Sequence, residues 1–285
     1  MLARSHARKA AIALTCLLAL SGAAAAETPA RDLFGKVVGP SLDRGGPHAI
    51  GGYAGGCLAG ARSLPVAGPG WQVLRPSRNR TYGAPAMIAW LGDLIARNRA
   101  AGQPALLIGD IAQPRGGPMS SGHASHTIGL DADIWLTPRI GDLVPESFEP
   151  PSMLAKGGRQ VDPARFGPWQ GGIIAMAAAS PAVARIFVAP GIKAALCSRY
   201  AGQPWLGKIR PWFGHDSHFH VRLACPPSET ACVPQAPPPP GDGCGAELSS
   251  WFAPPPPGPA KPARPKPPLT LSGMPAACTA VLKAP

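Results

Sequence analysis

Beyond residue 26 the chain has no apolar run that could cross a bilayer, which takes about 20 apolar residues, so stable membrane insertion is not expected. It has no C-x-x-C, which disfavours a thiolate metal site. It lacks a glycine-rich phosphate loop, a strict strand–helix–strand rhythm and internal repeats. These absences point away from a doubly wound nucleotide-binding fold and towards α+β around a small sheet. Acids are scarce, with 15 Asp and Glu against 27 Lys and Arg and a formal charge of +12. Such a balance suits an anionic partner such as cell wall. The basic residues are dispersed and form no stripe interleaved with aromatics, so nucleic acid is not the expected partner.

What is present begins with an export signal. "MLARSHARKA" is basic, "AIALTCLLAL" is a short apolar run, and Ala24, Ala25 and Ala26 offer an A-x-A cleavage site before Glu27. Cys16 lies inside the apolar run behind Thr15, which is the wrong place for a lipid anchor. Removing residues 1–26 takes away Arg4, Arg8 and Lys9, so the charge falls from +12 to +9. Six cysteines remain: Cys57, Cys197, Cys225, Cys232, Cys244 and Cys278. An even number in an exported chain reads as disulfides formed in an oxidising compartment. Cys225 and Cys232 close the short loop "CPPSETAC" and are expected to pair; spacing leaves the other four with three possible pairings.

Residues 27–233 are long enough for one domain with its own core. From 234 the composition changes, and 14 of the 35 residues at 234–268 are proline. Such runs favour polyproline II and build no core. Residues 234–285 therefore read as a proline-rich extension, strapped to the body if Cys244 and Cys278 bond to it. The spacing of Met87, Ile88, Leu91, Leu94 and Ile95 predicts an amphipathic helix over 85–102, stopped by Gly102. "ALLIGDI" at 105–111 reads as a short buried strand. A helix is expected over 171–179, a strand at "ARIFVA", and a helix opening at Pro190. The whole is an α+β fold: a small, mainly antiparallel sheet flanked by helices and long loops.

Five of the seven histidines fall in two windows, "HASHTIGLDAD" at 123–133 and "HDSHFH" at 215–220. Ile128, Leu130, Ala132 and Ile134 alternate with Thr127, Gly129, Asp131 and Asp133, which predicts a strand with both aspartates on one face. His123 and His126 sit on the glycine- and serine-rich approach to it. His218, His220 and Arg222 alternate with Phe219, Val221 and Leu223, a second strand. Two residues of strand rise separate the Cα atoms of His218 and His220 by roughly 6.6 Å. Catalytic zinc commonly takes three His, Asp or Glu ligands and keeps one position open. His126, Asp133 and His220 supply such a set. The ion lowers the pKa of a coordinated water to about 7, and His218 beside it could take the proton. Asp131 reads either as a group orienting a ligand or as a half-exposed strand residue. Asp110 reads as a structural turn acid, His48 as an ordinary solvated or hydrogen-bonded side chain. Arg222 could hold a substrate carboxylate or an internal acid.

The segments "SGHASHTIGLDADIWL" and "PWFGHDSHFHVRLAC" resemble the signatures of penicillin-insensitive murein endopeptidases, relatives of the lysostaphin and D-alanyl-D-alanine carboxypeptidase group of zinc peptidases. "GCLAGA", "RIFV" and "GDGCGAELSSWF" extend the resemblance over most of residues 35–283. It implies a periplasmic enzyme that cuts D-alanyl–meso-diaminopimelate cross-links between peptidoglycan stem peptides. It implies His126, Asp133 and His220 as ligands of one zinc, His218 as the base or the group steadying the tetrahedral intermediate, and His123 and His215 as auxiliary groups. It also implies the pairings Cys57–Cys278, Cys197–Cys244 and Cys225–Cys232. One departure stands out: in "AKGGRQVD", glycine and glutamine stand where further polar ligands would be expected, which argues against a second zinc at His123. Two other readings keep the metal motif. One is a carboxypeptidase or dipeptidase on short D-alanyl peptides. The other is a wall-binding protein without turnover. Oligomeric state is not legible in the sequence.

Overall fold

Seven short strands make the central sheet of the computed structural model, which describes residues 27–46, 48–139, 141–254 and 267–285. The expected export signal lies outside the described residues, as does part of the proline-rich stretch, 255–266. In chain order the strands are β1 (Ala67–Gly68), β2 (Trp71–Val73), β3 (Leu106–Ile108), β4 (Asp131–Trp135), β5 (Val183–Val188), β6 (Ile209–Pro211) and β7 (His218–Leu223). Across the sheet they run β6-β5-β7-β4-β3-β2-β1. Four of the six neighbouring pairs are antiparallel; β2/β3 and β5/β6 are parallel. Parallel neighbours need a crossover, and helices provide both. Six helices are described: α1 (Ala30–Phe34), α2 (Pro85–Ala100), α3 (Pro168–Ala178), α4 (Pro190–Arg199), α5 (Ala246–Ser250) and α6 (Ala277–Lys283). The segment holding α2 joins β2 to β3, and that holding α4 joins β5 to β6. The expected α+β class and mainly antiparallel sheet hold, with two local strand–helix–strand units that the composition did not announce.

Proline sets three helix starts: Pro85, Pro168 and Pro190 each stand in the first turn, where a missing N–H leaves no bond unmade. The middle helix therefore begins at 168, three residues before its expected start. The buried stripe of α2 is Met87, Trp90, Leu91, Leu94, Ile95 and Asn98, the helical repeat expected, with Trp90 rather than Ile88 inside. The strand expected from Ile128 begins only at Asp131. Gly129 has φ +68°, outside strand geometry, and a Cβ there would lie 2.6 Å from Leu58 Cδ2. Likewise β3 stops at Ile108, and Ile111 N–H turns away to donate to Arg80 O at 2.8 Å. Strands β1, β2 and β6 are two or three residues long, too short to show a period in sequence.

The main core packs the face of β4 and β7 opposite the histidines and aspartates, where Ala132, Ile134, Phe219 and Val221 are all buried. Burying each large side chain is worth about 1.5–3 kcal/mol. A second apolar cluster gathers Ala30, Phe34, Ile50, Cys57, Met274, Cys278 and Val281. Three disulfides form, Cys57–Cys278, Cys197–Cys244 and Cys225–Cys232, the pairings that the family resemblance implies. The first two tie the C-terminal segment to earlier chain. No helix among the described residues is long and apolar enough to cross a membrane.

Candidate metal centre

Strands β4 and β7 lie side by side in a register that sets His220 opposite Asp133, Arg222 opposite Asp131 and His218 opposite Trp135. Directly opposed residues on one face bring their side chains together. His126 reaches the same place from the loop before β4. Its backbone is left-handed, with φ 68°, held there by its N–H donating to Asp131 Oδ2 at 2.9 Å.

Hydrogen bonds decide which nitrogen each imidazole leaves bare. His126 Nδ1–H donates to Ile111 O at 2.7 Å, so its Nε2 carries the lone pair. His220 Nε2–H donates to Asp131 Oδ1 at 3.0 Å, so in the neutral ring Nδ1 carries the lone pair. These two bare nitrogens are 3.1 Å apart. Asp133 Oδ1 lies 3.5 Å from the first and 3.2 Å from the second. It is buried and accepts no hydrogen bond. Three electron pairs facing one another repel unless a cation lies among them. For zinc bonds of about 2.0–2.1 Å, the edges of a tetrahedron are about 3.3–3.4 Å, close to this triangle. The donor set fits a divalent ion, or a proton in its place. His123, His126 and Asp133 also offer atoms within 4.8 Å of one another. The His220 set is the tighter one. His123 Nε2 is engaged by Asp110 Oδ2 at 2.9 Å, and its Nδ1 stands 3.7 Å from the other oxygen of Asp133.

The next layer is charge-balanced. Asp131 is 0% exposed, which excludes the half-exposed reading. Arg222 reaches it with Nε at 2.7 Å and Nη2 at 3.3 Å, and donates from Nη1 to Gln235. Arg222 is thus engaged with an internal acid rather than offered to a substrate carboxylate. Burial would raise Asp131, but His220 and Arg222 pull it far below the usual carboxylate range. Asp133 is likewise held well below that range, against its own burial, by His126 and His218. Burial would lower His220, yet Asp131 overrides it and raises the imidazole to about 9. Asp110 is more than a turn acid. It is buried, takes Arg80 Nη1 at 2.8 Å, and holds His123 against the centre. Burial would raise it, but His123 and Arg80 keep it below its ordinary value. His48 is hydrogen-bonded as expected, through Nδ1 to Glu229 Oε1 at 3.2 Å.

His218 Nε2 lies 3.8 Å from Asp133 Oδ1, and its ring packs edge-on against Trp135 at 5.2 Å. Burial lowers its pKa, so the ring is neutral near pH 7. His215 donates Nδ1–H to Phe213 O at 2.7 Å; burial and then the charges on His218 and His220 push it down to about 4. His123, His215, His218 and His220 line a cleft of about 430 Å³ together with Arg185, Phe187 and Trp212.

A model of the family described as penicillin-insensitive murein endopeptidase matches residues 49–283. The chain belongs to that family. Proteins named penicillin-insensitive murein endopeptidase are 49% identical to it in Haemophilus influenzae, covering 77% of this chain and 78% of the relative, and 45% identical in Yersinia pestis, covering 84% and 86%. A third, from Klebsiella pneumoniae, is 42% identical over 95% of this chain and 96% of its own length. Membership makes the chain a hydrolase of the peptidase class. Sequence reasoning had gathered every histidine of this endopeptidase's cleft but not Arg80, Asp110, Arg185, Trp135 or Phe187. Asp110 follows a short apolar strand behind a glycine, a faint signal; Arg185 and Phe187 stand in "RIFV" and Trp135 in "HTIGLDADIWL", segments that carry the resemblance without giving these residues a role, and Arg80 carries no signal.

Proposed function

We propose that this endopeptidase is exported to the periplasm, depends on one zinc ion, and cuts D-alanyl–meso-diaminopimelate cross-links between peptidoglycan stem peptides. The observation that carries the metal is the orphaned Asp133 Oδ1 facing two bare imidazole nitrogens at 3.2 and 3.5 Å. His126, Asp133 and His220 would hold the ion. A divalent ion there supplies Lewis-acid activation of water and of the scissile carbonyl. The chain's own residues do the rest. Neutral His218 accepts the proton of the attacking water and returns it to the departing amine, so that water and amide become acid and amine. His215 lines the cleft with an acceptor nitrogen, since its Nδ1–H is committed to Phe213 O. Asp131 orients His220 and is itself fixed by Arg222. His123, held by Asp110, acts as an auxiliary group rather than as the site of a second ion.

Residues 27–233 form the catalytic body in this reading, and 234–285 an extension strapped across it. The straps are the Cys197–Cys244 and Cys57–Cys278 links, the Arg210–Glu247 ion pair, and Arg159 donating to Phe252 O at 3.0 Å.

The test is digestion of purified cross-linked muropeptide dimers by mature protein, with metal analysis alongside. Dimers should become monomers, the reaction should stop with a chelator and should continue in benzylpenicillin, because no acyl-enzyme forms for the lactam to trap. Turnover indifferent to chelation sinks the reading. Loss of terminal D-alanine alone favours the carboxypeptidase reading, for which Arg185 is the available anchor. It lines the cleft and pairs with no carboxylate among the described residues. Co-sedimentation with sacculi without any cleavage would favour a wall-binding protein.

A further inference from the structure

The chain leaves an aromatic shelf exposed beside the cleft. Trp212 is 53% and Phe213 76% exposed, unusual for rings of this size. Trp251, from the C-terminal extension, packs at a tilt against Phe213 at 4.8 Å and Trp212 at 6.2 Å. Phe252 follows, with the Arg159 guanidinium 5.1 Å above its ring. These rings wall a second groove of about 420 Å³, which shares Trp212, Phe213 and Gly214 with the catalytic cleft and has Asp216 at its side. A line of rings joins the two: His220 to Phe187 at 5.3 Å, then Phe187 to Trp212 at 5.8 Å.

We propose that this shelf is a saccharide subsite that seats the glycan strand from which the scissile stem peptide hangs. The proposal rests on the murein-cleaving reading above. Pyranose rings present a flat face of C–H bonds that packs on aromatic faces, and a rim of hydroxyls for groups such as Arg159 and Asp216. Reach agrees. A cross-link lies about three or four residues from its sugar, and an extended peptide covers about 3.3–3.6 Å per residue. The steps from His220 to Phe187 and on to Trp212 are 5.3 and 5.8 Å, so Trp212 lies within that reach of a peptide bond at the His126–Asp133–His220 centre. The continuity of the two grooves gives it an unbroken path. The C-terminal extension gains a role here, since it contributes Trp251 and Phe252 to the shelf.

The test uses full-length mature protein and two substrates of equal cross-linkage: intact sacculi, and peptide dimers freed of sugar. Trp251→Leu keeps the apolar bulk but removes the flat face; Trp251→Phe keeps a ring. Trp251→Leu should slow cleavage of sacculi by roughly three- to tenfold, the value of one aromatic contact, and leave the sugar-free dimers unaffected. Trp251→Phe should restore most of the loss. A β-1,4-linked N-acetylglucosamine tetramer should shift the indole N–H resonances of Trp212 and Trp251. Equal losses on both substrates, no loss on either, or indole signals unmoved by the tetramer would each overturn the subsite. A wild type that cuts neither substrate defeats the endopeptidase reading instead.

Discussion

Two corners of the molecule are built from opposite materials. At the terminal corner, Phe34, Ile50, Met274 and Val281 pack around the Cys57–Cys278 link, which joins residues 221 apart. Arg115 Nη1 donates to the carbonyls of Val281, Leu282 and Ala284 at the end of α6. Glu229 accepts the N–H groups of His48 and Ala49. The polar groups named here have partners, and a covalent bond holds the rest. At the metal corner, His126, Asp131, Asp133 and His220 are all buried, and Asp133 Oδ1 accepts no hydrogen bond. One corner is held by bonds already made. The other leaves a buried carboxylate oxygen unpartnered where a cation could sit, and that incompleteness is what chemistry can use.

The comparison breaks most visibly at Asp133. Asp133→Asn should abolish metal retention and lower turnover by roughly three orders of magnitude or more, with the far-ultraviolet circular dichroism unchanged. An active, metal-replete variant would move the centre elsewhere. Asp131→Asn attacks the layer behind. It strands the buried Arg222 charge, which costs about 3–5 kcal/mol, and frees His220 to turn, which weakens metal affinity about 10–100-fold. Urea unfolding and a competitive metal titration measure the two effects; stability within 1 kcal/mol of wild type, taken as roughly the error of such a measurement, would refute the pairing argument.

The terminal corner should answer differently. Replacing both Cys57 and Cys278 with serine should cost about 2–5 kcal/mol and leave metal affinity unchanged. Its effect should exceed that of removing Cys225–Cys232, which spans only 7 residues, because a longer closed loop restricts the unfolded chain more. Calorimetry on the two double variants ranks them. The smallest effect is a proton count. In the metal-free chain His220 is raised from 6.5 to about 9. A raised histidine adds stability that is fully present below about 6.5 and is lost as pH rises through about 9. An ion must displace that proton. Binding at pH 7.5 should therefore release about one proton, and apparent affinity should rise about tenfold per pH unit up to about 9. Titration calorimetry in buffers of different ionisation heat reads the number directly, and a value of zero contradicts the proton placed on His220 in the metal-free chain.

Local pattern carried a good part of the structure. The apolar repeat of α2, the proline that opens α4, and the alternation through His218–Leu223 are properties of a few adjacent residues, and each appears as an element. Where a boundary moved, backbone geometry or a distant contact moved it: Gly129, at φ +68° in a place where Leu58 leaves no room for a Cβ, lies outside β4, and Arg80 draws Ile111 out of β3. Strands β1, β2 and β6 exist only because neighbours supply their hydrogen bonds.

The amino-acid sequence by itself determined which imidazoles and carboxylates could meet, because side-chain alternation along a strand is fixed by the backbone period. Only the tertiary structure decided that His220 stands opposite Asp133 and Arg222 opposite Asp131, since strand register depends on pairing between segments nearly ninety residues apart. It also decided which nitrogen of each ring stays bare. That choice belongs to Ile111 O and Asp131, atoms that no motif containing His126 or His220 alone could specify.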